Sequence, residues 1–172
     1  MSAVEKVRAS RARQWRLFCR KALGSDPSKP LQGVAGATIT ALSAAFRECY
    51  PRPESKKLPE LPDFGAEIFN SPWTVYAIRN DATQEVYIGT ARKGFVSRYK
   101  NGAWWKEHHN ARLARDALMF GVRHFRIAIH VCSDDADMNR VEAMLLRMHR
   151  PATYNDRPEP DNVRVAADGD DE

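Results

Sequence analysis

Apolar positions near the start of the chain recur at steps of three and four. Val4, Val7, Trp15, Phe18 and Ala22 fall on one face of a first helix, with Arg13, Arg16 and Arg20 repeating on another. Gly24 and the following SDPSKP end that helix, and Ala35, Ile39, Leu42 and Phe46 trace the stripe of a second one. Residues 51–72 hold Pro51, Pro53, Pro59, Pro62 and Pro72, a density that excludes a continuous helix or central strand and reads as a linker. From residue 74 the pattern turns to short apolar runs. VYAI and VYIG flank a polar turn and predict strands at 74–79 and 85–89; helices follow from about 95 to 120. FRIAIHVC predicts a third strand over 125–132, with Phe125, Ile127, Ile129 and Val131 on one face. Ser133 or an aspartate at 134–135 caps a last helix running to about Arg150, before Pro151, with Met138, Val141, Leu145 and Met148 as its apolar stripe.

This order predicts an α/β (α+β) unit: a small three-stranded antiparallel sheet flanked by helices, with an N-terminal helical extension. Four zones result: a basic helical region 1–50, the linker 51–72, a compact domain 73–155, and an acidic, disordered tail 156–172 ending in AADGDDE. The chain has 172 residues, enough for one domain and an added segment, and 43% hydrophobic residues, enough for a core. It has neither a membrane-length apolar run nor a secretory leader, and its three cysteines are odd in number and widely spaced. These features point to a reduced, cytoplasmic protein without a disulfide framework.

Charge is spread unevenly. Residues 1–60 carry 12 Lys/Arg against 5 Asp/Glu, residues 61–155 carry 13 against 10, and residues 156–172 carry 2 against 7. A basic front suggests a polyanionic partner, because Lys and Arg release condensed counterions when they meet phosphates. Arg13, Arg16 and Arg20 are then either solvated residues of a hairpin packed on the domain or phosphate contacts of a DNA-binding arm. Trp104 and Trp105 beside Lys106 are either core or a stacking surface for bases.

Candidate chemistry begins with Tyr76 and Tyr87, placed at matched points of the hairpin, eleven residues apart. Glu142 borders an apolar helix stripe, where a carboxylate is costly unless a cation neutralises it. Arg98 emerges near a helix start in KGFVSRYK, suited to a phosphate or to a structural pair. His108 and His109 are adjacent, so on a helix they point apart and do not form a two-ligand metal site. Asn155 follows a proline turn.

In this order the elements resemble the GIY-YIG nuclease family: TVY (Thr74, Val75, Tyr76) for the first motif, an intact Tyr87-Ile88-Gly89, then TARKGFVSR, and finally EAMLLRMHRPATYN. The resemblance spans residues 74–155. It departs at Thr74, where the family has glycine, and at Gly102, where some members place a histidine, so that either His108 or His109 takes over a polar role or the site has none. It implies a DNA endonuclease in which a tyrosine activates water, Arg98 clamps the phosphate and Asn155 orients Glu142 or the phosphate. Glu142 would be the single ligand of one Mg²⁺ or Mn²⁺ ion. Tyr76 is taken as the base with Tyr87 as its hydrogen-bonded partner; the reverse order is equally consistent with spacing. Double-stranded DNA is the expected substrate, with Arg92, Lys93, Lys100 and Lys106 as further backbone contacts and a second copy of the chain for cutting both strands. The rival readings are a catalytically idle nucleic-acid binder and a protein adaptor that docks through the Trp15/Phe18 face.

Overall fold

The computed structural model describes residues 1–23, 36–51, 59–106, 108–150 and 153–155; the acidic tail, residues 52–58 of the proline-rich linker and the loop after the first helix lie outside these. Three strands form one sheet in the order β2-β1-β3: β1 is Thr74–Asn80, β2 is Val86–Ala91 and β3 is Phe125–Val131. Both pairings of β1 are antiparallel. The central strand is covered on both faces, with Val75, Tyr76 and Ile78 all at most 1% exposed. An Asx turn, in which Asn80 Oδ1 accepts the Ala82 N–H at 2.9 Å, and a left-handed Gln84 at φ 64° close the hairpin.

Among the described residues five α-helices flank the sheet: α1 Ala3–Leu23, α2 Gly36–Cys49, the single turn α3 Phe95–Arg98, α4 Ala111–Phe120 and α5 Asp135–His149. The helices expected between about 95 and 120 are α3 and α4, separated by a break. Asn101 at φ 54° and Gly102 at φ 72° lie in it, and Asn110 starts α4 afresh by accepting the Leu113 N–H at 3.0 Å. Asp134 caps α5 through the Asp137 N–H at 2.8 Å.

The two sheet faces carry separate cores. Val75, Val86 and Ile88 meet Met138, Val141 and Leu146 of α5. Tyr76, Ile78 and Tyr87 face the larger core, which includes Phe95, Trp104, Leu113 and Phe120 and continues into Trp15, Phe18, Cys19 and Phe46 of α1 and α2. The buried face of α1 therefore differs from the periodic reading. Val7 and Ala22 are exposed, while Arg11 is buried, because α1 leans on α4 through its middle. The Arg11 guanidinium donates to Met119 O at 2.6 Å and Tyr50 O at 3.0 Å, and it lies over the Phe46 ring at 4.6 Å. The α5 stripe also shifts, since Met148 is exposed and Leu146 buried.

The end of the linker is docked too. Phe64 and Phe69 pack on Phe95, and Phe64 stacks on it at 5.9 Å. Among the described residues, Cys19, Cys49 and Cys132 are free thiols, and no helix is long and apolar enough to cross a membrane.

Candidate active site

Tyr76 and Tyr87 share one sheet face because, in the register, Tyr76 lies opposite Gly89 and Tyr87 opposite Ile78. They are diagonal neighbours rather than direct partners, with ring centroids 6.2 Å apart. Gly89 has no side chain because the Tyr76 ring lies over it: a Cβ there would stand 2.4 Å from the phenol oxygen. The glycine of this motif is thus a seat for the tyrosine of the opposite strand. Thr74 has no left-handed backbone, so losing a glycine there costs no strain; its hydroxyl donates to Ala91 O at 3.1 Å.

The hydroxyl expected from Tyr87 is supplied to Tyr76 by Tyr99, at 2.7 Å. Tyr99 in turn meets His108 Nε2 at 2.8 Å, and the Asn110 N–H donates to His108 Nδ1 at 3.0 Å. Tyr87 meets His109 Nε2 at 2.8 Å. The two histidines sit in the loop before α4, not on a helix, so they do not diverge: their rings stack at 4.6 Å. His108 is buried and His109 exposed. A histidine at position 102 has no room, because a Cβ on Gly102 would stand 2.4 Å from the Phe64 ring.

Burial pushes the Tyr76 phenol far above its ordinary range, reinforced by the neighbouring Tyr99 and Tyr87 phenols and opposed by Arg98. Burial also raises Tyr99, against the pull of Tyr76 and Arg98. His108 is lowered to about 3, first by burial and then by His109 and Arg98, so it is neutral at physiological pH.

Arg98 ends α3, whose N-cap is Gly94 at φ 90°. Partial desolvation works against its charge, yet its electrostatic attraction to the neighbouring Tyr76 and Tyr99 phenols outweighs this and raises its pKa. The arginine stands between two clefts that share it and Ser97. One, of about 790 Å³, also carries Lys100 and Lys106; the other, of about 460 Å³, also carries Arg92 and Lys93 and is walled by Met138 and Asn139 of α5. Arg92 is tied to Asp135 by two bonds of 2.7 and 3.1 Å. Arg13, Arg16 and Arg20 are exposed on α1. Trp104 is core, 1% exposed and edge-on to Phe125.

Glu142 is half-buried on α5, the helix packed on the sheet face opposite the tyrosines. The Asn155 amide is turned onto the backbone of β2. Its Nδ2 donates to Ile88 O at 2.7 Å and its Oδ1 accepts the Ile88 N–H at 2.8 Å, so the amide is spent on clipping the free edge of β2. Among the described residues no group of three or more His, Cys, Asp or Glu could hold a metal. A hard cation that keeps most of its waters needs only one or two carboxylates, and Glu142 fits that requirement where a transition-metal cage finds no match.

The sequence reading missed Tyr99, which links the tyrosines to the histidine loop. Its position directly after Arg98 was the available signal. With the geometry in hand, comparison gives one match: residues 72–155 fit the family model of the GIY-YIG catalytic domain. No curated protein and no solved structure matches the chain.

Proposed function

Residues 72–155 are a GIY-YIG catalytic domain, the module of a nuclease family, and from that premise we propose that the protein is a metal-dependent DNA endonuclease. The observation that carries this reading is the neighbourhood of Tyr76 and Tyr87 on one sheet face together with Arg98 of α3, which stands between two clefts lined with cations. A DNA strand laid across Arg98 would have Arg92 and Lys93 on one side and Lys100 and Lys106 on the other. Arg98 would hold a non-bridging oxygen of the scissile phosphate, with the bidentate geometry its guanidinium allows. Glu142 would hold a Mg²⁺ or Mn²⁺ ion, which when bound stabilises charge on the phosphate and on the leaving oxygen. Asn155 fixes β2, and with it Tyr87, by clamping the backbone of Ile88.

The exposed Arg13, Arg16 and Arg20 would extend the contact with duplex along α1. The adaptor reading loses its motive, since Trp15 and Phe18 are already covered inside the chain by Phe46, at ring distances of 5.2 and 5.6 Å.

The test is incubation of full-length protein with supercoiled plasmid, in Mg²⁺ or in EDTA. Nicking or linearisation that needs the metal is expected, and Glu142→Ala should abolish it while retaining DNA affinity. Full cleavage by that variant would remove Glu142 as the metal ligand, and DNA affinity insensitive to salt would remove the phosphate contacts.

A further inference from the structure

The sheet has two edges, β2 and β3, and only one of them is covered. On β2 the returning chain supplies the cover: the Tyr154 N–H donates to Val86 O at 2.9 Å and the Asn155 amide pairs with Ile88. Among the described residues nothing pairs with the outer edge of β3. The register fixes which groups that edge presents. Cys132 N donates to Trp73 O and Asp81 N to His124 O, each at 2.8 Å, and both bonds continue the β1–β3 register. Bonded and non-bonded pairs alternate in an antiparallel ladder, so Arg126, Ala128 and His130 turn their backbone groups to β1. Phe125, Ile127, Ile129 and Val131 turn theirs outward. Natural sheets guard such an edge with proline, lysine, a bulge or a covering segment. β3 has no proline or lysine and an unbroken register, and its arginine, Arg126, is already engaged by Asp81 at 2.8 Å.

We propose that the outer edge of β3 is a self-pairing surface, where a second copy of this chain docks antiparallel about a two-fold axis at Ala128 and joins the two sheets into one. The strand reads Phe-Arg-Ile-Ala-Ile-His-Val, so its chemistry is the same from either end: apolar, basic, isoleucine, alanine, isoleucine, basic, apolar. In this register Ile127 faces Ile129 of the second copy, and Phe125 faces its Val131. Every outward group is then used, in about eight hydrogen bonds, and a shift in either direction leaves some unpaired. Ala128 meets its own mate in a non-bonded pair, the closer kind, at about 4.5 Å between Cα atoms, a separation that a methyl group tolerates. The apolar face is continuous across the axis. Ile127 and Ile129 are half-buried against the larger core, and Val131 is still 46% exposed in the single copy. On the other face Arg126 comes beside His130 of the second copy, and each brings a carboxylate. Asp81 is bonded to Arg126; Asp137 is held below its usual range by Arg140 first, and also by the Ser133 N–H and by His130. Backbone bonds alone would accept any strand; the matching of side chains end to end is what selects a second copy.

Both tyrosine faces then look to the same side, with the two β1 strands about 14 Å apart, three strand spacings. One duplex can lie across both sites. That consequence rests on the nuclease reading above, whereas the docking surface does not.

Sedimentation equilibrium of the full chain between about 1 and 100 µM should show a dimer. Ala128→Glu should return it to monomer with an unchanged far-ultraviolet spectrum, because the side chain is exposed in the single copy and two carboxylates would stand directly opposite. A wild-type monomer throughout, or a dimer that Ala128→Glu leaves intact, would overturn the proposal. Cross-linking reads the register. Ala128→Cys in a Cys49→Ser background should form a disulfide-linked dimer on mild oxidation, since the expected Cα separation lies within disulfide range. Ala136→Cys in the same background, exposed on α5, should not, and equal cross-linking of the two would place the contact elsewhere. Amide exchange at Ile127 and Ile129 should be slow in the wild type and fast in Ala128→Glu. Slow exchange in a wild-type monomer would give the edge to another segment of the same chain and reject the second copy. With supercoiled plasmid and Mg²⁺, the wild type should linearise and Ala128→Glu should only nick. A dimer that cuts in no metal would sink the nuclease reading and leave the docking surface standing.

Discussion

Gly89 shows how one absent side chain sets the site. Tyr76 occupies the space a Cβ would fill, and its ring is held by Phe95 at 5.0 Å and Tyr99 at 5.8 Å, so it cannot swing aside. Gly89→Ala should therefore destabilise the domain by about 1–3 kcal/mol, the usual cost of overpacking, and displace the Tyr76 hydroxyl from Tyr99. Urea unfolding with near-ultraviolet circular dichroism reads both effects, and unchanged values would mean that the ring adapts freely. Gly102 follows the same logic with Phe64 as its lid, so any side chain there would collide with that ring.

At the scale of elements, the edge of β2 depends on residues distant in sequence. Thr153 bridges Val86, the Tyr154 N–H donates to Val86 O at 2.9 Å, and the Asn155 amide pairs with both backbone groups of Ile88. This short segment behaves as a partial fourth strand, and Asn110, the N-cap of α4, secures it by donating to Tyr154 O at 2.7 Å. Asn155→Ala leaves two backbone groups without their partner and should cost about 1–3 kcal/mol. Amide exchange at Ile88 should speed up selectively. Protection equal to wild type would show that another group or water replaces the clip.

At the scale of the whole molecule, α1 is pinned to the catalytic domain by Arg8. Its guanidinium pairs with Glu85 and with Asp116, the latter at 2.7 Å, while Tyr154 donates to Asp116 at 2.8 Å and Arg112 meets Glu85 at 3.0 Å. Burial raises both carboxyls above their ordinary range, against the pull of Arg8 and Arg112. An acid raised in the fold binds its proton more tightly there than in the unfolded chain, so stability falls as pH rises from about 4 through the folded values. Arg8→Met removes the main counter-charge and should cost about 3–5 kcal/mol at pH 7.5 and distinctly less at pH 5. Denaturant melts at the two pH values test this, and an equal loss at both would mean that the carboxyls are not what Arg8 compensates.

The order of strands and helices, the sharing of one sheet face by Tyr76 and Tyr87, and the Asp134 cap were legible in the sequence. Alternation and capping are local properties, written in neighbouring residues. The central place of β1, the link from Tyr99 to His108, the burial of Arg11 and the clip made by Asn155 were not. Each depends on a partner between 9 and 108 positions away, and a residue's own type does not say whether its polar atoms will meet a substrate or the chain itself. Sequence alone therefore determined which residue types the catalytic domain carries and in what order. Only the tertiary structure decided which hydroxyl faces which nitrogen, because hydrogen-bond direction is set by the donors and acceptors that packing brings within 3 Å.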